Sequence, residues 1–331
     1  MRKADDVATV YLGGGTPSAL SASMLSQLFG TIGEEYGAVD KKEEITIECN
    51  PDDIDNTFAD ALRGWPVNRV SIGIQSFSDE RLRFLHRRHT AAQAHEAVAR
   101  VRAAGITNIS IDLMFGFPGQ TLAQWQYDIE EALALEADHI SAYSLTYEEG
   151  TPLYQMLQRQ QVREISDSDY IIMYKKLVER LEEAGYEHYE ISNFAREGHR
   201  SLHNGNYWNG TPYLGIGAGA HSYDGVCRMS NVADIDQYIT AISQGRQPAE
   251  IEHLTTEEHY NDMVATALRT AEGISLQQVQ DRFGEESARY LLANAAKSLS
   301  RQWLVLENGR LHLSLEGIMV SNTVMSDLMM V

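Results

Sequence analysis

Four stretches of this sequence end or interrupt an apolar run with a residue that can hold a polar ligand. Residues 8–12 stop at Gly13-Gly14-Gly15-Thr16-Pro17, and Ile45-Thr46-Ile47 stops at Glu48-Cys49-Asn50-Pro51. Residues 70–74 lead into Gln75-Ser76-Phe77, and the run 109–115 carries Asp112. Glycines let a backbone approach a ligand closely, and their N–H groups can bind a carboxylate. By itself the triplet also fits a plain strand-to-helix turn. It matches neither the Walker pattern nor a G-x-G-x-x-G followed by a suitably placed acid, so a nucleotide-phosphate site is not supported. Glu48 can pair with a ligand ammonium; a solvated strand end or a buried ion pair is the other reading. Asp112 lies between Ile111 and Leu113, and a buried aspartate needs a partner. A ligand hydroxyl or Arg87 would supply one, and a core aspartate capping a loop is the alternative. His86-x-x-His89 and His199-x3-His203 have metal-like spacing without a neighbouring acid or thiol on an established helix, and read as non-sites. The two cysteines, Cys49 and Cys227, are far apart. They suit free thiols in a reducing cytosol and are too few for the three or four thiolates of an iron–sulfur cubane.

The elements that must position these residues follow from periodicity. Leu20, Met24, Leu25, Leu28, Phe29 and Ile32 recur at the spacing of one buried helix face. Thr121-x-x-Gln124 is a capping signal ahead of Trp125, Ile129 and Leu133. With a further strand at 139–145, strands alternate with helices, which predicts βα units and a parallel sheet. Tyr170, Met173, Tyr174, Leu177 and Leu181 predict a helix ending before Gly185. Residues 189–194 read as a last strand, and 192–223, rich in Gly, Asn, His and Tyr, as a structured loop region. Three helical patterns from about Thr255 precede strands at 303–306 and 310–313 around Asn308-Gly309, a tight-turn signal. A final helix is expected from about Glu316. The 331 residues are 43% hydrophobic with no membrane-length apolar run, and the start Met1-Arg2-Lys3 does not read as a secretory signal, so a cytoplasmic protein is expected. The formal charge of −20 argues against nucleic acid or an anionic membrane as partner.

Taken in order, these motifs and His203-Asn204-Gly205-Asn206-Tyr207-Trp208 resemble the radical S-adenosylmethionine (SAM) family, and within it the coproporphyrinogen dehydrogenase/heme chaperone branch. The resemblance covers essentially the whole chain. Position by position it implies a SAM-binding set of Gly14, Gly15, Thr16, Glu48, Gln75, Arg87 and Asp112, with Ser144 as the corresponding residue of the last strand. The family opens with a Cys-x3-Cys-x2-Cys segment that holds a 4Fe–4S cluster, whereas here twelve residues precede Gly13 and none is cysteine. The resemblance therefore implies an α/β fold: an N-terminally truncated, partial (β/α)6 radical-SAM-type barrel over residues 1–165. A connecting region, 166–250, completes the barrel side, and a small α+β winged-helix-like domain follows at 251–331. A bound cluster is not expected in this chain, although SAM and the cluster are family cofactors.

His203-Asn204-x-x-Tyr207-Trp208 matches the H-N-x-x-Y-W signature of the heme chaperone subfamily, HemW. The resemblance implies heme as ligand, His203 as the residue at the heme iron, and Tyr207 and Trp208 as a flat apolar wall, with His221 as the rival ligand. A loop histidine bonded to backbone is the structural alternative. The expected function is a heme carrier that hands heme to an acceptor protein and meets a membrane only through that acceptor. An oxygen-independent coproporphyrinogen III oxidase and a non-catalytic small-molecule-binding barrel are the alternatives. No catalytic residue is assigned, and radical SAM oxidoreductase activity rests on the resemblance alone.

Overall fold

In the computed structural model residues 7–37 and 43–330 are described; residues 1–6, which carry the reading against a secretory signal, lie outside them. The chain divides into two compact units, residues 1–203 and 204–331.

The first unit is built on seven strands: β1 (Thr9–Leu12), β2 (Glu44–Cys49), β3 (Arg69–Gln75), β4 (Asn108–Phe115), β5 (His139–Ser144), β6 (Glu187–Glu190) and β7 (Asn193–Ala195). Their order is β1-β2-β3-β4-β5-β7-β6, with β1 to β5 mutually parallel. Helices alternate with them: α1 (Ala22–Tyr36), α2 (Asn56–Leu62), α3 (Asp79–Phe84), α4 (Ala91–Ala103), α5 (Leu122–Ala134), α6 (Pro152–Gln158) and α7 (Asp167–Glu183). The expected α/β architecture with a parallel sheet is therefore present. Residues 189–194 do not form one strand but belong to an antiparallel hairpin, β6–β7. The Glu190 carboxylate holds its turn, accepting from Ser192 N (2.9 Å) and Asn193 Nδ2 (2.5 Å). A local side-chain bond thus reverses the chain where apolar content suggested continuation.

Side chains alternate across a strand, and one sheet face is almost wholly apolar. Ile45, Ile47, Val70, Ile72, Ile109, Ile111, Ile140 and Phe194 are no more than 1% exposed. Helices cover a parallel sheet of this kind because a crossover connection places them on its faces. Ala94, Ala97, Val98 and Val101 form the buried stripe of α4, and Trp125, Ile129 and Ala132 that of α5. The Thr121–Gln124 capping box forms as expected. Helix α1 is less buried than its periodicity suggests: only Leu25 and Phe29 are covered, while Leu20, Met24 and Leu28 are 39%, 54% and 39% exposed.

Helix α8 (Leu202–Trp208) occupies part of the region read as loop, and the division between units falls within it, after His203. The second unit continues with a three-stranded antiparallel sheet of β8 (His221–Tyr223), β9 (Cys227–Asn231) and β10 (Ala249–His253), with α9 (Ile235–Ser243) between the last two. These strands also lie where a loop was expected at 192–223 or where no element was assigned. Then come α10 (Thr256–Ala267), β11 (Ile274–Ser275), α11 (Leu276–Phe283), α12 (Glu285–Ser300), β12 (Leu304–Glu307) and β13 (Arg310–Leu313). This is the helix–strand–helix–helix–hairpin order of a winged-helix-like unit. Asn308 and Gly309 turn the hairpin with φ of 50° and 74°, as the tight-turn signal predicts. The expected final helix is broken into α13 (Leu315–Ile318) and α14 (Ser321–Leu328). Among the described residues no helix is long and apolar enough to cross a membrane.

Candidate functional site

The second face of the large sheet is polar. Register places Glu44 beside Thr9, Thr46 between Tyr11 and Arg69, Glu48 beside Ser71, Ser71 beside Ser110, Ser110 beside His139, and Asp112 beside Ser141. Ser141 in turn faces Asn193 and bonds to it at 2.8 Å. One face of five strands thus carries hydroxyls, carboxylates, an imidazole and a guanidinium. Sequence reading found only Glu48 and Asp112 among them, because it looked for polar residues that close or interrupt an apolar run. The signal for the others was a period-two polar alternation, as in Glu44-x-Thr46-x-Glu48, Arg69-x-Ser71 and His139-x-Ser141.

Glu48 is the centre of one group. Tyr11 Oη donates to its Oε1 at 2.6 Å, and Gly14 N lies 3.3 Å from its Oε2. Burial, then Glu48 itself, pushes the Tyr11 phenol up, so it stays a protonated donor. A side chain at Gly13 would overlap the Tyr11 ring and put its Cβ 2.8 Å from Glu48 Cδ. Gly13 therefore earns its place by close approach, while Gly14, Gly15 and Thr16 are exposed beside it. Ser18, in the turn that follows, accepts from Asn50 N and donates to Asp53, which ties the glycine loop to the loop after β2.

Gln75 and Arg87 form a second group around Gly73. A bulge between Ile72 and Gln75 ends the regular pairing of β3, and Gln75 is held at φ 69°, a conformation that non-glycine residues rarely adopt. Arg87 Nη1 donates to Asn50 Oδ1 at 3.0 Å. Arg87 feels the charge of Asp112, the partner the sequence suggested, while its direct hydrogen bond goes to Asn50. Asp112 is approached by Ser71 Oγ at 3.5 Å and is hydrogen-bonded by Ser141. Burial raises its carboxyl from the ordinary 3.8 to about 6; Glu48 adds to the rise, and Ser141, Arg69 and Ser71 oppose it. Ser144 is separate from this set. It pairs with Phe115, and alternation puts it on the apolar face, whereas Ser141 shares the face of Asp112.

His203 lies beside the Glu48 group. Its Nδ1 is 2.9 Å from Thr9 Oγ1, and its ring stacks on Tyr11 at 4.9 Å and 19°. Burial lowers its pKa and keeps the imidazole neutral. Glu44, itself 3% exposed, accepts from Leu202 N (2.8 Å), His203 N (3.1 Å) and Thr46 Oγ1 (3.1 Å). It acts as the N-terminal cap of α8, supplied by a distant strand in place of the local cap residue. A chain of bonds reinforces this end: Ser110 Oγ to His139 Nδ1 (2.8 Å), His139 Nε2 to Tyr189 Oη (2.7 Å), and Ser201 N to Tyr189 Oη (3.4 Å). In the second unit, Tyr207 packs edge-on against Tyr213 at 4.7 Å, and Arg269 lies 5.0 Å over the Trp208 ring. His221, exposed, bonds to Ser230 Oγ at 3.0 Å.

The donor set does not suit a cubane cluster. Cys49 is buried in β2, where burial pushes its thiol up, and Cys227 lies in the second unit, 3.0 Å from His253 Nδ1. No group of three His, Cys, Asp or Glu side chains is disposed to hold a metal ion among the described residues. A ligating histidine is normally oriented by a bond to one ring nitrogen, and the Thr9 contact is a bond of that kind on His203 Nδ1.

Residues 1–132 match the radical SAM superfamily, and residues 254–320 match the HemN C-terminal domain. The chain is 35% identical to the heme chaperone HemW of Bacillus subtilis (strain 168), over 96% of this chain and 84% of that protein. It is 33% identical to the heme chaperone HemW of Lactococcus lactis subsp. lactis (strain IL1403), over 96% and 83%. Its fold is that of the radical SAM coproporphyrinogen III oxidase HemN from Escherichia coli, with TM-score 0.82 and 20% identity over 97% of this chain and 77% of that one.

The raised Asp112 carboxyl has a consequence for stability. The folded state holds this proton more tightly than the unfolded chain does, so stability is lost as pH rises from about 3.8 to about 6. Asp112→Asn removes that cost. Urea denaturation should find the variant more stable by roughly 1–3 kcal/mol at neutral pH and nearly equal to wild type near pH 4. A variant less stable at neutral pH would show that the carboxylate is a net stabiliser.

Proposed function

The chain belongs to the heme chaperone HemW family of the radical SAM superfamily, and from that premise we propose that it binds heme and passes it to an acceptor protein. The observation that carries this reading is the seating of His203. Its neutral ring is fixed by Thr9 and Tyr11, and Tyr11 is in turn bonded to Glu48. Neutral imidazole is the ligating form, and heme supplies an iron that such a nitrogen can coordinate. Tyr207 and Trp208 belong to the same signature and to the same helix, Leu202–Trp208, as His203. His221 is the rival ligand. Any membrane contact is made through the acceptor.

Gly14, Gly15, Thr16, Glu48, Gln75, Arg87 and Asp112 form the SAM-binding set in this reading. The carboxylates of Glu48 and Asp112 suit a ligand ammonium, and the glycine N–H groups suit its polar end. Ser141 replaces Ser144 in the set, since it shares the face of Asp112. The two cysteines present are fewer than the thiolates a cubane cluster takes, and no radical step is assigned here.

Ferric heme titration followed in the Soret region tests the ligand. His203→Ala should shift the Soret band and weaken binding about tenfold or more without loss of fold. An identical spectrum and affinity in the variant would remove His203 from the iron and transfer the assignment to His221.

A further inference from the structure

Arg69 is a cation on the polar face that the SAM and heme assignments leave unused. It begins β3, between Thr46 and Asn108 in register. It is 2% exposed, and its Nε has no hydrogen-bond acceptor. No ion pair to it is formed among the described residues. Its charge is felt by Tyr11, Asp112, His139, Tyr189 and His203, which places the guanidinium among the groups just described. A lysine or histidine so placed could shed its proton, but a guanidinium cannot. A buried cation without a paired anion costs several kcal/mol, and a fold normally answers that cost with a carboxylate. Glu44 lies on the same face but spends its oxygens on Thr46 and the first N–H groups of α8. Asp112 bonds to Ser71 and Ser141.

We propose that Arg69 is a recognition residue for a carboxylate of the ligand bound on this face. Its planar fork matches a carboxylate in two parallel hydrogen bonds. Glu48 and Asp112 on the same face would take a cationic end, so the face as a whole suits a ligand bearing both charges or a carboxylate alone. Two ligands of the reading above carry such a group: heme through its propionates and SAM through its α-carboxylate. The inference rests on that reading for its ligands.

The test compares each ligand with its carboxylate-blocked form. Ferric heme is set against heme dimethyl ester, and SAM against decarboxylated SAM, with wild type, Arg69→Lys and Arg69→Met. Wild type should prefer at least one acid over its blocked form by about tenfold or more. Arg69→Met should lose that preference and Arg69→Lys keep part of it, because the ammonium retains charge without the fork. A preference confined to the heme pair assigns the carboxylate to heme, and one confined to the SAM pair assigns it to SAM. Wild type binding both members of both pairs equally would overturn the inference, as would an undiminished preference in Arg69→Met. Should Arg69→Met not fold, as judged by its melting curve, the wild-type comparison and Arg69→Lys decide the matter. Failure of heme to bind at all would sink the heme reading while leaving the SAM pair to judge Arg69.

Discussion

Everything in the first unit depends on burying a sheet whose two faces want opposite surroundings. One face is a row of Val, Ile, Leu and Phe closed by helices. The other carries Glu44, Thr46, Arg69, Ser71, Ser110, His139 and Ser141, each less than 9% exposed. Burying a polar group without a hydrogen bond costs free energy, so this face must find partners within itself, from covering chain, or from a ligand. Most of it is satisfied internally: Ser110 with His139 and Tyr189, Ser141 with Asn193, and Glu44 with the start of α8. Arg69 Nε is not.

The same pattern explains how the histidine motif is placed. Helix α8 is seven residues long and has no buried residue within it, so neither propensity nor a hydrophobic stripe fixes it. Its first turn is held by a carboxylate 158 and 159 residues away in sequence, while Thr9 and Tyr11 fix the His203 ring. Because Tyr11 also bonds to Glu48, a ligand that competes for the Glu48 carboxylate acts one contact away from His203. Tyr11 thus joins Glu48, of the proposed SAM-binding set, to His203, the proposed heme ligand.

What the sequence made legible follows from local physics. The β-branched runs at β2, β3 and β4, the capping box of α5 and the Asn308-Gly309 turn each declare themselves within a few residues. So did Glu48, Gln75 and Asp112, polar breaks in apolar runs. The polar face as a whole was missed because an alternating strand in a parallel sheet is unexpected when both faces are usually apolar. Helix α8 was missed because its cap lies in β2, and the β6–β7 reversal because Glu190 holds the turn by side-chain bonds. The antiparallel sheet of the second unit draws on Cys227-Arg228-Met229-Ser230-Asn231 and Ala249-Glu250-Ile251-Glu252-His253, neither of which has a strong apolar period. Ser144 lies one alternation off the polar face, a displacement that a period of two leaves hard to read from sequence.

The central claim is that the polar sheet face beside His203 is the ligand face. Its rival is the exposed apolar side of α9, where Ile235, Ile239 and Ile242 are 66%, 59% and 48% exposed and could take heme without specificity. Amide hydrogen exchange with and without ferric heme separates the two most directly. The account predicts new protection at β1, at the glycine loop after it, and at the first turn of α8. Protection confined to α9, with β1 and α8 unchanged, would contradict it.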